Sequence, residues 1–549
     1  MLMYESTRGQ APRVHAKEAI LKGIAGDGGL YVPERVPKVG LGFIEGLAAM
    51  DYAHVAAAVI APFLDDFTDD EIWACVSGAY GAGRFDDPDV APLHALYGDV
   101  YTLELFHGPT CAFKDMALQF LPRALTAARQ SAKGGARGAD GGAGGADGGA
   151  DVAILVATSG DTGKAALEGF RDVPGTCVVV FYPKDGVSEV QRLQMATQEG
   201  ANVEVVAVLG NFDDTQAGVK GIFADADVAA ALRAWPRPVA LSSANSINWG
   251  RLVPQIAYYF WAYAQLVARG AAVCGEPVRF AVPTGNFGNI LAGWYAREMG
   301  LPVSELICAS NSNDVLADFI RTGIYDRNRD FFVTISPSMD ILVSSNLERL
   351  LYEACGKDAA LVRTWMGELR ASGRFDVGPG VRAKISSVFI GASATEDETR
   401  AAMRRSFEAF GYVMDPHTAV GLHAIENAGP MRAAQGKTVL VSTASPFKFA
   451  KDVYGAIAAA SPGASPELDA FACVEALELL CGAPAPEPLR RLREKPVLHS
   501  AVAARDEMKE AALSALGRLY MGPSAPVRPP TPVGAPVHAP TPGHPVCPP

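Results

Sequence analysis

Along the middle of the chain the apolar positions fall into two alternating rhythms. Short β-branched runs, VAILVA (152–157), CVVVFYP (177–183), VEVVAV (203–208), VRFAV (278–282) and TVLVS (438–442), read as buried strands. Stretches such as KAALEGF (164–170), SEVQRLQMATQEG (188–200), ILAGWYARE (290–298) and FKFAKDVYGA (447–456) carry helical spacing instead. Three times the order is a strand, a loop of Gly, Ser, Thr or Asn, then a helix. Strands alternating with helices predict an α/β fold with mostly parallel sheets. In such folds ligands collect at the carboxyl ends of the strands, where these loops lie.

One segment breaks the apolar pattern from within. HGPTCAFKDMALQF (107–120), read as a helix starting after Thr110, puts Phe113, Met116, Ala117 and Phe120 on one stripe. Lys114, Leu118 and Leu121 form the next stripe, and Asp115 and Gln119 make the polar edge. A helix apolar around most of its circumference is buried, and a buried ammonium is costly unless paired. Lys114 therefore snorkels to water, pairs with a carboxylate, or is held neutral for chemistry.

The loops are candidates for holding an anion. TSGDTGKAA lacks the Gly and the Ser or Thr that a nucleotide P-loop needs at Thr158 and Ala165. What it keeps is a strand, a hydroxyl- and glycine-rich turn and a helix N-terminus, which offers backbone N–H groups to an anion. PTGNFGN (283–289) is a second such cup, with Gly285 and Gly288 allowing close approach and Asn286 and Asn289 adding donors. For either loop the plain alternative is a tight glycine turn with no ligand. Lys184, Arg192 and Arg251 are the further candidates for contact with an anion, against the alternative of solvated surface charges. His417 in DPHTAVG reads as an acid–base group or as a residue that fixes a turn.

Composition narrows the class. The 549 residues are enough for two or more domains, and the formal net charge of −12 argues against a general nucleic-acid binder. An anionic substrate must then be met by local donors. Nine scattered cysteines, with no CxxC and no zinc-like spacing, suit reduced thiols in a cytoplasm, and no metal site is expected. The start lacks the regions of a signal peptide, and no apolar run approaches the roughly 18 residues of a membrane span. A soluble, cytoplasmic protein with no membrane or nucleic-acid partner is expected. KGGARGADGGAGGADGGAD (133–151) reads as a flexible insert, and the proline-rich tail at 522–549 as disordered.

HGPTCAFKDMALQF, TSGDTG, SINWGR, PTGNFGN, DPHTAVG and STASPFKF, in this order, resemble the threonine synthase family of pyridoxal-phosphate enzymes, as do the opening STRG and DGGLYVPE. The resemblance runs from about residue 4 to about 510, leaving out the insert and the tail. It implies the fold of the tryptophan-synthase β-subunit class (fold type II), two α/β domains with pyridoxal 5'-phosphate in the cleft. By it, residues 1–90 are the N-terminal region and 91–465 the catalytic core, with a smaller α/β subdomain at roughly 150–250. Residues 466–521 would be a C-terminal helical segment.

The resemblance also implies roles. Lys114 matches the Schiff-base lysine; its ammonium would be disfavoured by burial and by a helix N-terminus. Gly285, Asn286, Phe287, Gly288 and Asn289 match the loop around the cofactor phosphate, and Thr443 the hydroxyl facing the pyridine nitrogen. Thr158, Ser159, Gly160, Asp161, Thr162 and Gly163 match the segment near the substrate carboxylate and the cofactor ring. Lys184, Arg192 and Arg251 are the guesses for the substrate phosphate. Lys164 stands where a small residue is expected, which leaves its role open. The implied reaction is the last step of threonine biosynthesis, O-phospho-L-homoserine and water to L-threonine and phosphate, in a monomer or homodimer. Three readings stay beside it: a phospho-lyase releasing 2-oxobutyrate, another fold type II enzyme such as a dehydratase or cysteine synthase, and a paralogue that only binds ligand.

Overall fold

The computed structural model describes residues 1–135, 150–427, 436–458 and 468–521. The glycine-rich insert lies largely, and the proline-rich tail wholly, outside them. Two sheets carry the architecture. The larger runs, edge to edge, Phe389–Ser393, Val303–Ser310, Val278–Pro283, Thr438–Ser442, Val100–Glu104 and Leu93–Tyr97. All its pairings are parallel except the last. The smaller runs Ala501–Ala504, Val203–Leu209, Thr176–Pro183, Asp151–Ala157 and Val239–Ser242, parallel throughout. Every residue of Asp151–Ala157 and Thr176–Pro183 is buried, as expected for strands covered on both faces.

One expectation about the C-terminal part needs correction. The segment 466–521 is not helical throughout, because Ala501–Ala504 adds a strand to the edge of the smaller sheet beside Val203–Leu209. The helix Met508–Met521 then packs on that sheet, its Ala512, Leu513, Ala515 and Leu516 joining a core with Val179, Phe181 and Val206. Alanine favours helix in isolation, but here an open strand edge decides the conformation.

The helix Trp249–Ala268 is buried along nearly its whole length, which suits its apolar circumference. The N-terminal region wraps it: Tyr52 stacks edge-on to Trp261 with ring centroids 5.6 Å apart. The STRG loop reaches across to the core. Thr7 Oγ1 donates to Glu348 at 2.6 Å, and Arg8 meets the same carboxylate through two nitrogens at 3.1 and 3.0 Å. Next to Glu348, the buried Arg349 donates to the carbonyls of Tyr31 and Ile247. Among the described residues no helix is long and apolar enough to cross a membrane.

The lysine segment is not the single helix its spacing predicts. Cys111 adopts φ 57°, Ala112 bridges antiparallel to Ala444, and helix forms only over Asp115–Leu118 before a longer one over Leu121–Gly135. The backbone of residues 111–113 is committed to residues 443–445: Phe113 N–H donates to Thr443 O at 2.8 Å, and Ser445 N–H to Cys111 O at 3.1 Å. Nor are Asp115 and Gln119 a polar edge, for both are buried. The Asp115 carboxylate accepts from the Thr110 N–H and hydroxyl, each at 2.8 Å. Burial pushes its pKa up to about 6.

Candidate active site

Lys114 is 7% exposed and faces two oxygens. Its Nζ lies 3.2 Å from Asp161 Oδ2 and donates to Ser338 Oγ at 3.0 Å, while that hydroxyl donates to Asp161 Oδ2 at 3.3 Å. Burial lowers the pKa of Lys114, Lys448 and Arg251 lower it further, and Asp161 opposes them. A four-residue helix has little dipole, so desolvation and neighbouring cations, not the helix terminus, do the lowering. Of the three fates open to a buried lysine, the structure shows the pair with a carboxylate, and the lowered pKa keeps the neutral amine within reach.

Asp161 opens the helix Asp161–Phe170 at the carboxyl end of Asp151–Ala157. Its Oδ1 receives Lys448 Nζ at 2.8 Å and Gln191 Nε2 at 3.0 Å. Burial alone would raise the Asp161 pKa, but Lys114 and Lys448 outweigh it and hold the carboxyl well below its ordinary value. The rest of TSGDTG builds the turn. Thr158 Oγ1 accepts from the Gly160 and Gly163 N–H groups, both at 2.9 Å. Gly160 takes φ 133°, and a Cβ there would sit 2.5 Å from the Gln191 side chain. Ser159 and Thr162 are the half-buried hydroxyls of the loop. Lys164 points away from the pair, with Nζ 3.1 Å from Glu168 one turn on.

The second loop joins Val278–Pro283 to the helix Gly288–Met299, and Phe287 at its turn is left-handed with φ 61°. The first N–H groups of a helix have no intrahelical acceptor, so Gly288 and Asn289 present donors to an anion. Asn286 is exposed, its carbonyl held by Asn346 N–H and Nδ2 at 3.2 and 3.0 Å. Asn289 Oδ1 accepts from Tyr258 and Tyr259 at 2.5 and 2.9 Å, and its Nδ2 is buried with no partner among the described residues. A Cβ on Gly285 would stand 2.6 Å from the Ser338 carbonyl, so this glycine lets the cup approach the turn that touches Lys114.

Arg251 is buried in the first turn of Trp249–Ala268, where the helix dipole opposes a cation. Its NH1 donates to Ala244 O at 2.8 Å, and among the described residues no carboxylate pairs with it. Burial lowers its pKa to about 10. Lys184 is exposed at the carboxyl end of Thr176–Pro183, and Arg192 is half-buried on the helix Glu189–Ala196. Both lie at the same end of the smaller sheet as TSGDTG, and among the described residues neither touches Lys114 or Asp161. Thr443 is buried just beyond Thr438–Ser442, clipped by its carbonyl to Phe113.

Two groups in the site escape a reading of the sequence, and a third, His417, is open to two readings. Ser338 lies in an irregular SPSMD turn with no period to mark it. Lys448 is hidden in a stretch that looks like an ordinary helix start. His417 fixes that same turn: Nδ1 lies 2.7 Å from Asp415 Oδ1, and Nε2 accepts from the Ser338 N–H at 3.1 Å. With both ring nitrogens occupied, His417 takes the turn-fixing alternative over acid–base work.

These residues fit pyridoxal phosphate. The lysine has a lowered pKa, an orphaned amide donor and helix N–H groups mark a place for phosphate, and the glycine at 285 joins the two. A family model described as threonine synthase N terminus matches residues 3–80, and one described as pyridoxal-phosphate dependent enzyme matches residues 90–444. A threonine synthase from Pseudomonas aeruginosa is 40% identical over 470 residues, 85% of this chain and 92% of that one. One from Schizosaccharomyces pombe is 37% identical over 473 residues, covering 82% and 88%. The solved structure of pyridoxal-phosphate-bound threonine synthase from Brucella melitensis superposes with TM-score 0.80 at 36% identity, over 95% of this chain and all of that one. The chain, with its fold type II core and pyridoxal 5'-phosphate as cofactor, belongs to the threonine synthase family.

Proposed function

We propose that this chain is a threonine synthase, a carbon–oxygen lyase that converts O-phospho-L-homoserine and water to L-threonine and inorganic phosphate. The observation that carries this reading is the buried Lys114–Asp161 pair beside an anion cup, in a chain that aligns with threonine synthases almost end to end. Lys114 is the residue that holds the cofactor. Gly285, Asn286, Phe287, Gly288 and Asn289 would hold its phosphate with helix N–H groups, and Thr443 would meet the ring nitrogen. Bound there, the cofactor supplies an electron sink for the charge left when a proton leaves the substrate Cα.

With the cofactor bound, Lys114 would be the base at the substrate Cα, and its burial favours the neutral form needed to accept that proton. Asp161 then lies within reach of the ammonium that results and keeps it in place until the proton is returned. A hydroxyl at Thr443, in place of a carboxylate, brings no negative charge to keep the ring nitrogen protonated. Ser159, Thr162 and the N–H groups opening Asp161–Phe170 receive the substrate carboxylate, with Thr158, Gly160 and Gly163 shaping that turn. Arg251 is the first choice for the substrate phosphate, being buried without a carboxylate, and Lys184 and Arg192 are the second. A cytoplasmic location belongs to the same reading.

The test is to incubate the purified protein with pyridoxal phosphate and O-phospho-L-homoserine and identify the products by NMR. Threonine and phosphate in equal amounts are expected. Phosphate with 2-oxobutyrate would replace the reading with a phospho-lyase, and no phosphate would remove it.

A further inference from the structure

Asp161 carries one lysine on each carboxylate oxygen, and the reading above uses only one of them. Lys448 comes from the turn Pro446–Phe449, its side chain is wholly buried, and its Nζ stands 2.8 Å from Asp161 Oδ1. The same Nζ donates to the Thr110 carbonyl at 2.9 Å, four residues before Lys114. Lys114, on Oδ2, has no ammonium charge at the moments when it stands ready as a base. At those moments Lys448 is, among the described residues, the one cation still touching Asp161, which otherwise keeps the neutral donors Gln191 and Ser338.

A buried carboxylate with no cation is strongly disfavoured and takes up a proton instead. A protonated Asp161 would no longer attract the Lys114 ammonium. Resting on the proposed function, we propose that Lys448 is a positioning residue of the reaction, the standing counter-ion that keeps Asp161 ionised and directed at Lys114 while Lys114 gains and loses its charge.

Other titratable groups face this pair. Arg251 acts on Lys114 from Trp249–Ala268. His417 holds the backbone of Ser338. The Cys111 thiol, pushed up to about 12 by burial, and the Asp115 carboxyl, pushed up to about 6, both lie within the field of Lys448. Removing Lys448 therefore raises Asp115 too, and the test must separate the two carboxylates.

The experiment compares wild-type holoenzyme with Lys448→Gln, which keeps a donor and loses the charge, and with Lys448→Arg, which keeps the charge. Read out are kcat and KM against pH and the pH dependence of the visible band of the bound cofactor. Lys448→Gln is expected to lower kcat about tenfold with little change in KM, and to move the acid limb upward by about one pH unit. Lys448→Arg is expected to restore the limb. In an Asp161→Asn background, Lys448→Gln relieves only the repulsion of Lys448 on Lys114. It should give no further loss of kcat and only a fraction of the shift; a full shift there would assign the effect to Asp115 or to Lys114 itself and overturn the proposal. A Lys448→Gln enzyme with the wild-type limb and band also overturns it. If Lys448→Gln does not fold, the Asp161→Asn/Lys448→Gln double variant decides. Restored folding and cofactor loading support the counter-ion, and continued misfolding assigns Lys448 to Thr110 alone and overturns the proposal. A wild-type enzyme that makes no threonine would remove the function itself, a result distinct from all of these.

Discussion

The backbone N–H of Phe113 donates to the Thr443 carbonyl at 2.8 Å. This bond, with the Ala112–Ala444 bridge beside it, hangs the Lys114 segment on the end of the central strand Thr438–Ser442. It fixes by backbone geometry the spacing between the residue proposed to carry the cofactor and the residue proposed to meet its ring nitrogen. Side chains that follow the strands of the smaller sheet then complete the site, above all Asp161 at the start of Asp161–Phe170.

Asp161→Asn removes the one carboxylate that, among the described residues, touches the Lys114 ammonium, and leaves Lys448 and Arg251 to repel it. The lowered pKa of Lys114 should fall further. Attachment of the cofactor needs the neutral amine, so in the variant apoenzyme the pH midpoint of pyridoxal-phosphate reloading should move down relative to wild type. Stopped-flow absorbance reads this without substrate, and an unmoved or higher midpoint would exclude Asp161 as the counter-charge.

Gly285→Ala places a methyl 2.6 Å from the Ser338 carbonyl. A backbone atom cannot rotate aside, so either the cup or the SPSMD turn must shift. A cost of about 1–3 kcal/mol is expected, together with weaker cofactor binding, since cup and lysine contact are displaced together. Thermal melts and cofactor titration measure both. A variant with wild-type affinity would mean that the two loops are independent.

Arg251→Met tests the buried guanidinium. Hydrogen bonds to charged groups contribute about 1.5–3 kcal/mol. Loss of the phosphate contact should therefore raise KM for O-phospho-L-homoserine roughly 10- to 100-fold, with the visible band unchanged. Unchanged KM would pass the role to Lys184 or Arg192.

The loop ahead of the lysine has its own pH dependence. His107 lies 2.8 Å from Glu104 Oε2 and 2.6 Å from Asp86 Oδ1. Burial would lower the His107 pKa, but the two carboxylates push it up to about 9 from 6.5. Burial would raise Glu104, yet His107 and His94 hold it at about 2 against 4.5. The stability that His107 gains is therefore full below pH 6.5 and lost as pH rises through 9. That of Glu104 is full above 4.5 and lost as pH falls through 2. His107→Gln should cost about 1–3 kcal/mol near pH 6 and flatten the decline of Tm between pH 6.5 and 9. An equally steep decline would show the pair to be idle.

What could be read from the sequence was local. PTGNFGN and TSGDTG announce themselves because glycines sit where a strand's period gives way to a helix's. Lys114 stands out because a charge interrupts an apolar stripe. The Asp161–Lys448 pair is silent, since FKF has the look of a helix start and an aspartate in an anion cup looks exposed until two distant lysines are seen to claim it. The helix expected over the lysine segment failed for a related reason: pairing with residues 443–445 is a long-range contact that local spacing cannot register. Ala501–Ala504 became a strand through the same kind of override.

The central claim is that Lys114, and no other lysine, carries the cofactor. Lys448 and Lys164 are also well shielded from solvent, so the claim is open to direct contradiction. Borohydride reduction of the holoenzyme, followed by proteolysis and mass spectrometry, locates the pyridoxyl group. A single modified peptide with the label on Lys114 is the predicted result. Label on Lys448 or Lys164, with Lys114 unmodified, would contradict it.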